Sequence, residues 1–557
     1  MSERPPLHRR LLQFQLRTLL VAVFVVAVVL MFVRPQRREE GVPTDWNPGM
    51  FPRSGKFVTG VPLQSQNIKW CAPLGSYTAG SPVVSGGRVF IGTNNAYGYL
   101  PKYPADEDFG VLLCLDEQDG SLLWQATSAK LLRNDNSGYK SRAEDWPMGG
   151  VTSTPVVAGD RLWYVNNRAE VVCLDADGFH DGVNDGPVID EPQEDSEADV
   201  VWRLDLRKTF GVHVHEQSPC RPATDGSRLF IVTGNAVDQS HTVMPNPRAP
   251  SFVALDRQTG KVLWTDNSPG GNVMHHQWGS PTFAVIGGVP QVIFPGGDGW
   301  LYSFDPSGTP QGLSKLLWKF DLNPKSSVYE MGGRLDRNET AFFVTVAQNR
   351  VFAIAGQDHE HGYGSSVLWC IDGTQRGDLS EELAVRAANP AISLPARKYE
   401  AIYPQHGELA VQNLNSGVVW KFDSIPANAN QLVGAGEFIG RTRGAVAVRD
   451  EVALVADFSG VVHCFDASTG ERRWAHSCGS SCWSSPLIAG RYGYVGDVDG
   501  DITIFELFAD HTGRKPQSTP INEINMLNGI YAAPTAANGV LYIPTQNRLF
   551  AIEYAQP

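Results

Sequence analysis

Histidine is the residue type whose placement in this 557-residue chain most invites chemistry. His213, His215 and Glu216 stand just before Ser218-Pro219, and His275, His276 and Trp278 stand just before Ser280-Pro281. Imidazoles titrate near neutrality and ligate transition metals, so two such groups in matching positions could shape a polar pocket. Trp146, Arg441, Arg443 and Trp483 occupy the corresponding stretch ahead of other Ser-Pro-like pairs. If these stretches meet, aromatic and basic groups line one opening and would suit a polar or anionic ligand. The plainer alternative is that the same side chains hydrogen-bond loop backbone around a wet channel. His-x-His plus His-His supplies enough donors for zinc, but no spacing that demands it. No residue is assigned a catalytic role.

Carboxylates and thiols give further candidates. Asp175, Asp177, Asp181 and Asp185 alternate with Gly178, Gly182 and Gly186, the short oxygen-ligand spacing of a calcium loop, without the bidentate Glu of an EF-hand. Ten acids and no Lys or Arg fall between Asp175 and Asp199, which equally describes a solvated, self-repelling insertion. Asp497-Val-Asp499-Gly500-Asp501 reads as turn chemistry. Of eight cysteines, Cys114, Cys173, Cys370 and Cys464 hold the small position before a strand-ending Asp or its equivalent, where a buried thiol acts as a small hydrophobe. Cys71 and Cys220 have no assigned role. Cys478 and Cys482 in CGSSC are spaced for a local disulfide.

The elements that must position these residues are repeats. Three copies keep one spacing: Asp116, Gly120, Trp124; Asp256, Gly260, Trp264; and Asp466, Gly470, Trp474. Asp to Gly is a hairpin turn between half-buried strands, and each Trp is expected to pack between neighbouring units. Looser copies end at Trp202, Trp318 and Trp420. Unit starts fall at Ser81, Thr154, Ser218 and Ser280, near Thr340 and Gly444, and at Ser485 and Ala533. The last unit lacks a Trp strand, whereas Trp70 sits in an orphan strand ahead of the first. Joining the two closes a ring and leaves no long free edge. The expected fold is therefore all-β, an eight-bladed β-propeller over 65–557 closed by an N-terminal strand, with insertions at 176–199 and 373–414.

One transmembrane helix is expected before it. Residues 17–33 are apolar after Arg17 and flanked by arginines, so they read as an anchor following a short cytoplasmic tail at 1–16, with a linker at 34–64. Arg34-Pro35 in place of small residues argues against cleavage. The propeller then lies on the periplasmic side of the inner membrane. A formal charge of −13 without a basic face argues against nucleic acid as a partner.

The ALDRQTGKVLW segment resembles the tryptophan-docking repeat of PQQ-like propellers, a family spanning quinoprotein alcohol dehydrogenases and BamB-like propellers. The resemblance implies a binding scaffold for protein partners, with no cofactor expected, here held to the membrane by the helix at 17–33 instead of a lipid. An alternative it implies is a PQQ-type periplasmic oxidoreductase using PQQ and calcium. That class is marked by adjacent cysteines, which are absent here. A sensor of a small molecule or polysaccharide is a third reading.

Overall fold

The structure is a computed structural model. It describes residues 42–51, 59–131, 148–189, 191–330, 335–357, 365–423, 438–508 and 518–553. The anchor at 17–33 lies outside them, and no described helix is long and apolar enough to cross a membrane. Strands dominate the regular structure of the described residues, which include one short α-helix at Leu206–Phe210.

The first repeat shows how the sequence builds the unit. Val83–Ser85, Arg88–Asn94, Phe109–Asp116 and Leu122–Ala129 pair antiparallel in chain order. The Asp116 carboxylate accepts the Gln118 N–H, and Gly120 N–H bonds the Asp116 carbonyl, so the hairpin turn is fixed by the first of the repeated residues. Gly120 ends the turn at φ +73°, a conformation that glycine adopts without a Cβ penalty. Cys114 lies directly across from Trp124, where the register shifts by one residue. Cys173 faces Trp202, Cys370 faces Trp420 and Cys464 faces Trp474 at the same shift. The thiols are small because each must sit opposite an indole.

The tryptophans join each unit to the next. Trp70, Trp124, Trp202, Trp264 and Trp420 donate their indole N–H to the carbonyls of Glu117, Ala176, Arg257, Pro306 and Ala467. Each acceptor follows the strand-ending Asp of the neighbouring unit. The ring also lies flat against that unit's turn glycine: a Cβ on Gly260 would meet Trp202 Cε3 at 2.6 Å. Two expected docking residues depart from this. Trp318 donates to Gln291 within its own sheet. Trp474 packs on Phe505, since Glu506 and Leu507 replace the Asp-led turn.

Among the described residues this unit recurs as seven four-stranded sheets and one five-stranded sheet, all in propeller-like succession. Hydroxyls at the unit starts link successive sheets, as in Thr282 to the Val344 carbonyl and Thr345 to the Val446 carbonyl. Thr535 of the last sheet bonds Pro82 of the first, so the succession returns on itself. Ile68–Pro73 pairs antiparallel with Arg548–Ile552, giving the last sheet its fourth strand as the orphan-strand argument requires.

Two expectations need correcting, and the 373–414 insertion has strands of its own. Part of the supposed linker packs on the sheets: Trp46 is buried and donates to Met526 sulfur, while the Pro43 carbonyl accepts the Tyr494 hydroxyl. The insertion at 373–414 is built, not a bare loop. Gly377–Asp378 adds a parallel fifth strand beside Leu316–Asp321, and Glu382–Arg386, Asn389–Ser393 and Glu408–Gln412 form a three-stranded sheet. Arg397 locks that sheet through a two-pronged pair with Glu408 at 2.6 and 2.9 Å. The four aspartates of the acidic insertion do not converge on a cation site. Asp175 and Asp185 pair with Arg161, Asp177 pairs with Arg88, and Asp181 caps its own turn at Val183. Both arginines come from strands outside the acidic run, where composition alone could not place them.

Candidate functional site

Residues ahead of the first strand of each four- or five-stranded sheet come together. They line one cavity of about 110 Å³. Tyr77, Thr152, Gln217 and Trp278 lead into the first four sheets, and Phe342, Arg443, Trp483 and Tyr531 into the other four. Arg443 is the one formal charge among the described lining residues. Its guanidinium carbon lies 4.7 Å from the Trp278 ring centre, 5.3 Å from Trp483 and 5.4 Å from Phe342. Aromatic faces carry partial negative charge, so they hold a guanidinium in place while excluding water from it. Burial raises the Tyr77 phenol above its usual range, and the nearby Arg443 opposes that rise. Trp483 also meets Phe458 and Tyr531, and Arg441 reaches the wall through Phe458.

Behind Trp278 lie the histidines. The Trp278 indole stacks on His276 at 4.0 Å and 3°, and its N–H donates to the His215 carbonyl. His215 and His275 approach to 4.6 Å between ring centres, and both are buried. Glu216 Oε1 is 4.0 Å from His215 Nε2. The His213 backbone N–H donates to the Asn235 side-chain carbonyl. Trp146 lies outside the described residues.

Two members went unread in the sequence. His241, in the loop after Arg228–Val232, sits 4.8 Å from His215 and 4.6 Å from His275. Glu339, fully buried, is 3.7 Å from His275 Nδ1 and 3.5 Å from His276 Nε2. Its signal was its place beside Thr340, the degenerate unit start. Two groups therefore have donor atoms close enough for a metal: His215, His241 and His275, and His275, His276 and Glu339.

The cysteine expectation is also revised. Cys478 and Cys482 are thiols, hydrogen-bonded to one another, not a disulfide. Burial pushes Cys71, Cys173, Cys220, Cys370 and Cys464 up to about 12, as inert core thiols should be.

The sequence matches the family described as outer membrane protein assembly factor BamB over residues 194–399 and 405–551, more than half of the chain. The chain belongs to the BamB family. In this BamB-family chain no two cysteines are adjacent, so the adjacent-cysteine mark of the PQQ class has no counterpart in it. The chain is 25% identical over 333 residues to tetrathionate hydrolase of Acidithiobacillus ferrooxidans, covering 54% of this chain and 60% of that protein. It thus spans about three fifths of the length of that relative. Similar solved structures include BamB from Moraxella catarrhalis at 14% identity, covering 82% of this chain and 93% of that one with a TM-score of 0.42. Sqt1 of Saccharomyces cerevisiae is similar at 7% identity, 87% and 98% coverage and a TM-score of 0.48.

Proposed function

We propose that this chain is an eight-bladed, BamB-like binding module that takes a small anionic ligand at the end of its channel, around Arg443. One observation carries the reading: residues ahead of the first strand of each four- or five-stranded sheet line one cavity, and the formal charge among its described lining is a guanidinium held by three aromatic rings. Hydroxyls of Ser81, Thr152, Thr154 and Ser485 add donors of the kind an oxyanion accepts. In this reading residues 17–33 tether the ring to the inner membrane, with the propeller on the periplasmic side. Protein partners would dock on the sheet built by the 373–414 insertion, whose strand Asn389–Ser393 is exposed throughout.

A hydrolytic role is favoured by the curated relative, whose name concerns tetrathionate, itself a dianion. Calorimetric titration of the purified protein with sulfate, thiosulfate, tetrathionate and small dicarboxylates tests both readings, with thiosulfate release followed in the tetrathionate arm. Saturable binding of at least one anion, lost in Arg443→Met, is expected. Absence of binding across the panel, or binding that survives Arg443→Met, would overturn the anion reading.

A further inference from the structure

We infer that His215, His241 and His275 form a binding site for one divalent transition-metal ion of the zinc class. Three separate chain segments bring the imidazoles together, with ring centres 4.6 to 4.8 Å apart in every pairing. One nitrogen from each lies within 4.8 Å of the others. A tetrahedral zinc with Zn–N of ~2.0–2.1 Å places its nitrogens roughly 3.4 Å apart, so closure needs a movement of about one ångström. His241 can supply it, being half-buried on a loop, whereas His215 and His275 are fixed inside.

The orientation of the rings supports the same site. His215 Nδ1 bonds the Val237 carbonyl at 3.2 Å, and His275 Nδ1 faces Glu339 at 3.7 Å. A carbonyl or carboxylate behind a ligating histidine fixes its tautomer and raises its basicity as a ligand. Three neutral nitrogen donors suit zinc, cobalt or nickel and exclude the all-oxygen preference of calcium and magnesium. Glu216 and Glu339 beside them give the surroundings the sign a dication needs. The neighbouring group of His275, His276 and Glu339 is buried throughout and its His276 is stacked flat on Trp278, while the trio has a half-exposed member through which an ion can enter.

The test uses the full chain, stripped with a chelator and titrated with Zn²⁺ by calorimetry and with Co²⁺ by visible absorption. One equivalent of zinc with Kd below ~1 μM is expected, with cobalt bands of tetrahedral nitrogen coordination. His241→Gln should weaken zinc at least ~100-fold and Glu339→Gln by ~10–100-fold, the range for a residue that orients a ligand. Melting of the metal-free His241→Gln protein should match wild type, since its side chain is half outside the core. His406→Gln, which removes an imidazole outside both histidine groups, should bind as wild type. Absence of stoichiometric uptake overturns the inference, as does zinc affinity that survives His241→Gln or falls only in His276→Gln. Should a variant fail to fold, the cobalt spectrum of the wild type decides, because its absence contradicts the site by itself. The outcome is separate from anion binding, which Arg443→Met reads without added metal.

Discussion

Replacing Gly260 by alanine should cost far more than replacing Gly159, although both glycines sit in strand-connecting turns with nearly the same backbone angle, φ +69° and +68°. Alanine pays ~1–2 kcal/mol for a left-handed conformation at either site. At Gly159 nothing lies within 4 Å of the new methyl, so that penalty is the whole effect. At Gly260 the methyl would meet Trp202 Cε3 at 2.6 Å, Cδ2 at 2.9 Å and Cζ3 at 3.0 Å. Pushing a packed ring aside costs a further ~1–3 kcal/mol. The Trp202 N–H bond to the Arg257 carbonyl, already 3.3 Å long, is then lost at about 1 kcal/mol. The difference between the variants is therefore about 2–4 kcal/mol, all of it from contact between units. Urea unfolding followed by both tryptophan fluorescence and circular dichroism measures it, with coincident transitions as the check on a single unfolding step. Equal midpoints for Gly260→Ala and Gly159→Ala would refute the docking account.

Three further outcomes follow from particular contacts. Burial raises the Asp298 carboxyl to about 6, with the Tyr302 hydroxyl donating to it at 2.6 Å. The folded state then binds this proton more tightly than the unfolded chain, so the Asp298 contribution to stability is full at low pH and falls as pH rises from about 4 to 6, by about 3 kcal/mol at most. Asp298→Asn should flatten that slope in urea titrations at several pH values, and an unchanged slope would place its origin elsewhere. Cys478, half-buried and lowered by the hydrogen bond from Cys482, should be the first thiol alkylated by iodoacetamide at pH 8 in the native protein. Peptide mapping that finds Cys173 or Cys370 modified as fast would contradict their burial. Beginning the chain at residue 75 removes the strand paired with Arg548–Ile552, and the bared edge should produce dimers or aggregates by light scattering. A monomeric, cooperatively melting product would show that the closing strand is dispensable.

What the sequence made legible was local and periodic. Asp, Gly and Trp at fixed offsets encode a turn and an indole on one strand, and each expected unit start falls within a few residues of the first strand of a four- or five-stranded sheet. The closing strand could be found because Trp70 was a surplus in one place and a deficit in another. The partners of the acidic run were hidden, since Arg88 and Arg161 reach it from other strands at sequence separations that no local pattern records. His241 was missed for the same reason: its loop contains no second ligand, and only the fold of its sheet brings it beside His215 and His275. Trp318 and Trp474 match the repeat yet do not dock like the others: Gln291 stands between Trp318 and the Gly373 carbonyl of the following unit, and Trp474 meets Phe505 where the Asp-led turn is replaced.

The most direct test of the ligand reading is a crystal of the protein soaked in selenate, with data collected at the selenium edge. An anomalous peak is predicted in the channel cavity, within hydrogen-bonding reach of the Arg443 guanidinium and bordered by Trp278 and Trp483. A cavity without selenium in a crystal that binds it elsewhere would contradict the claim that this channel end is an anion site.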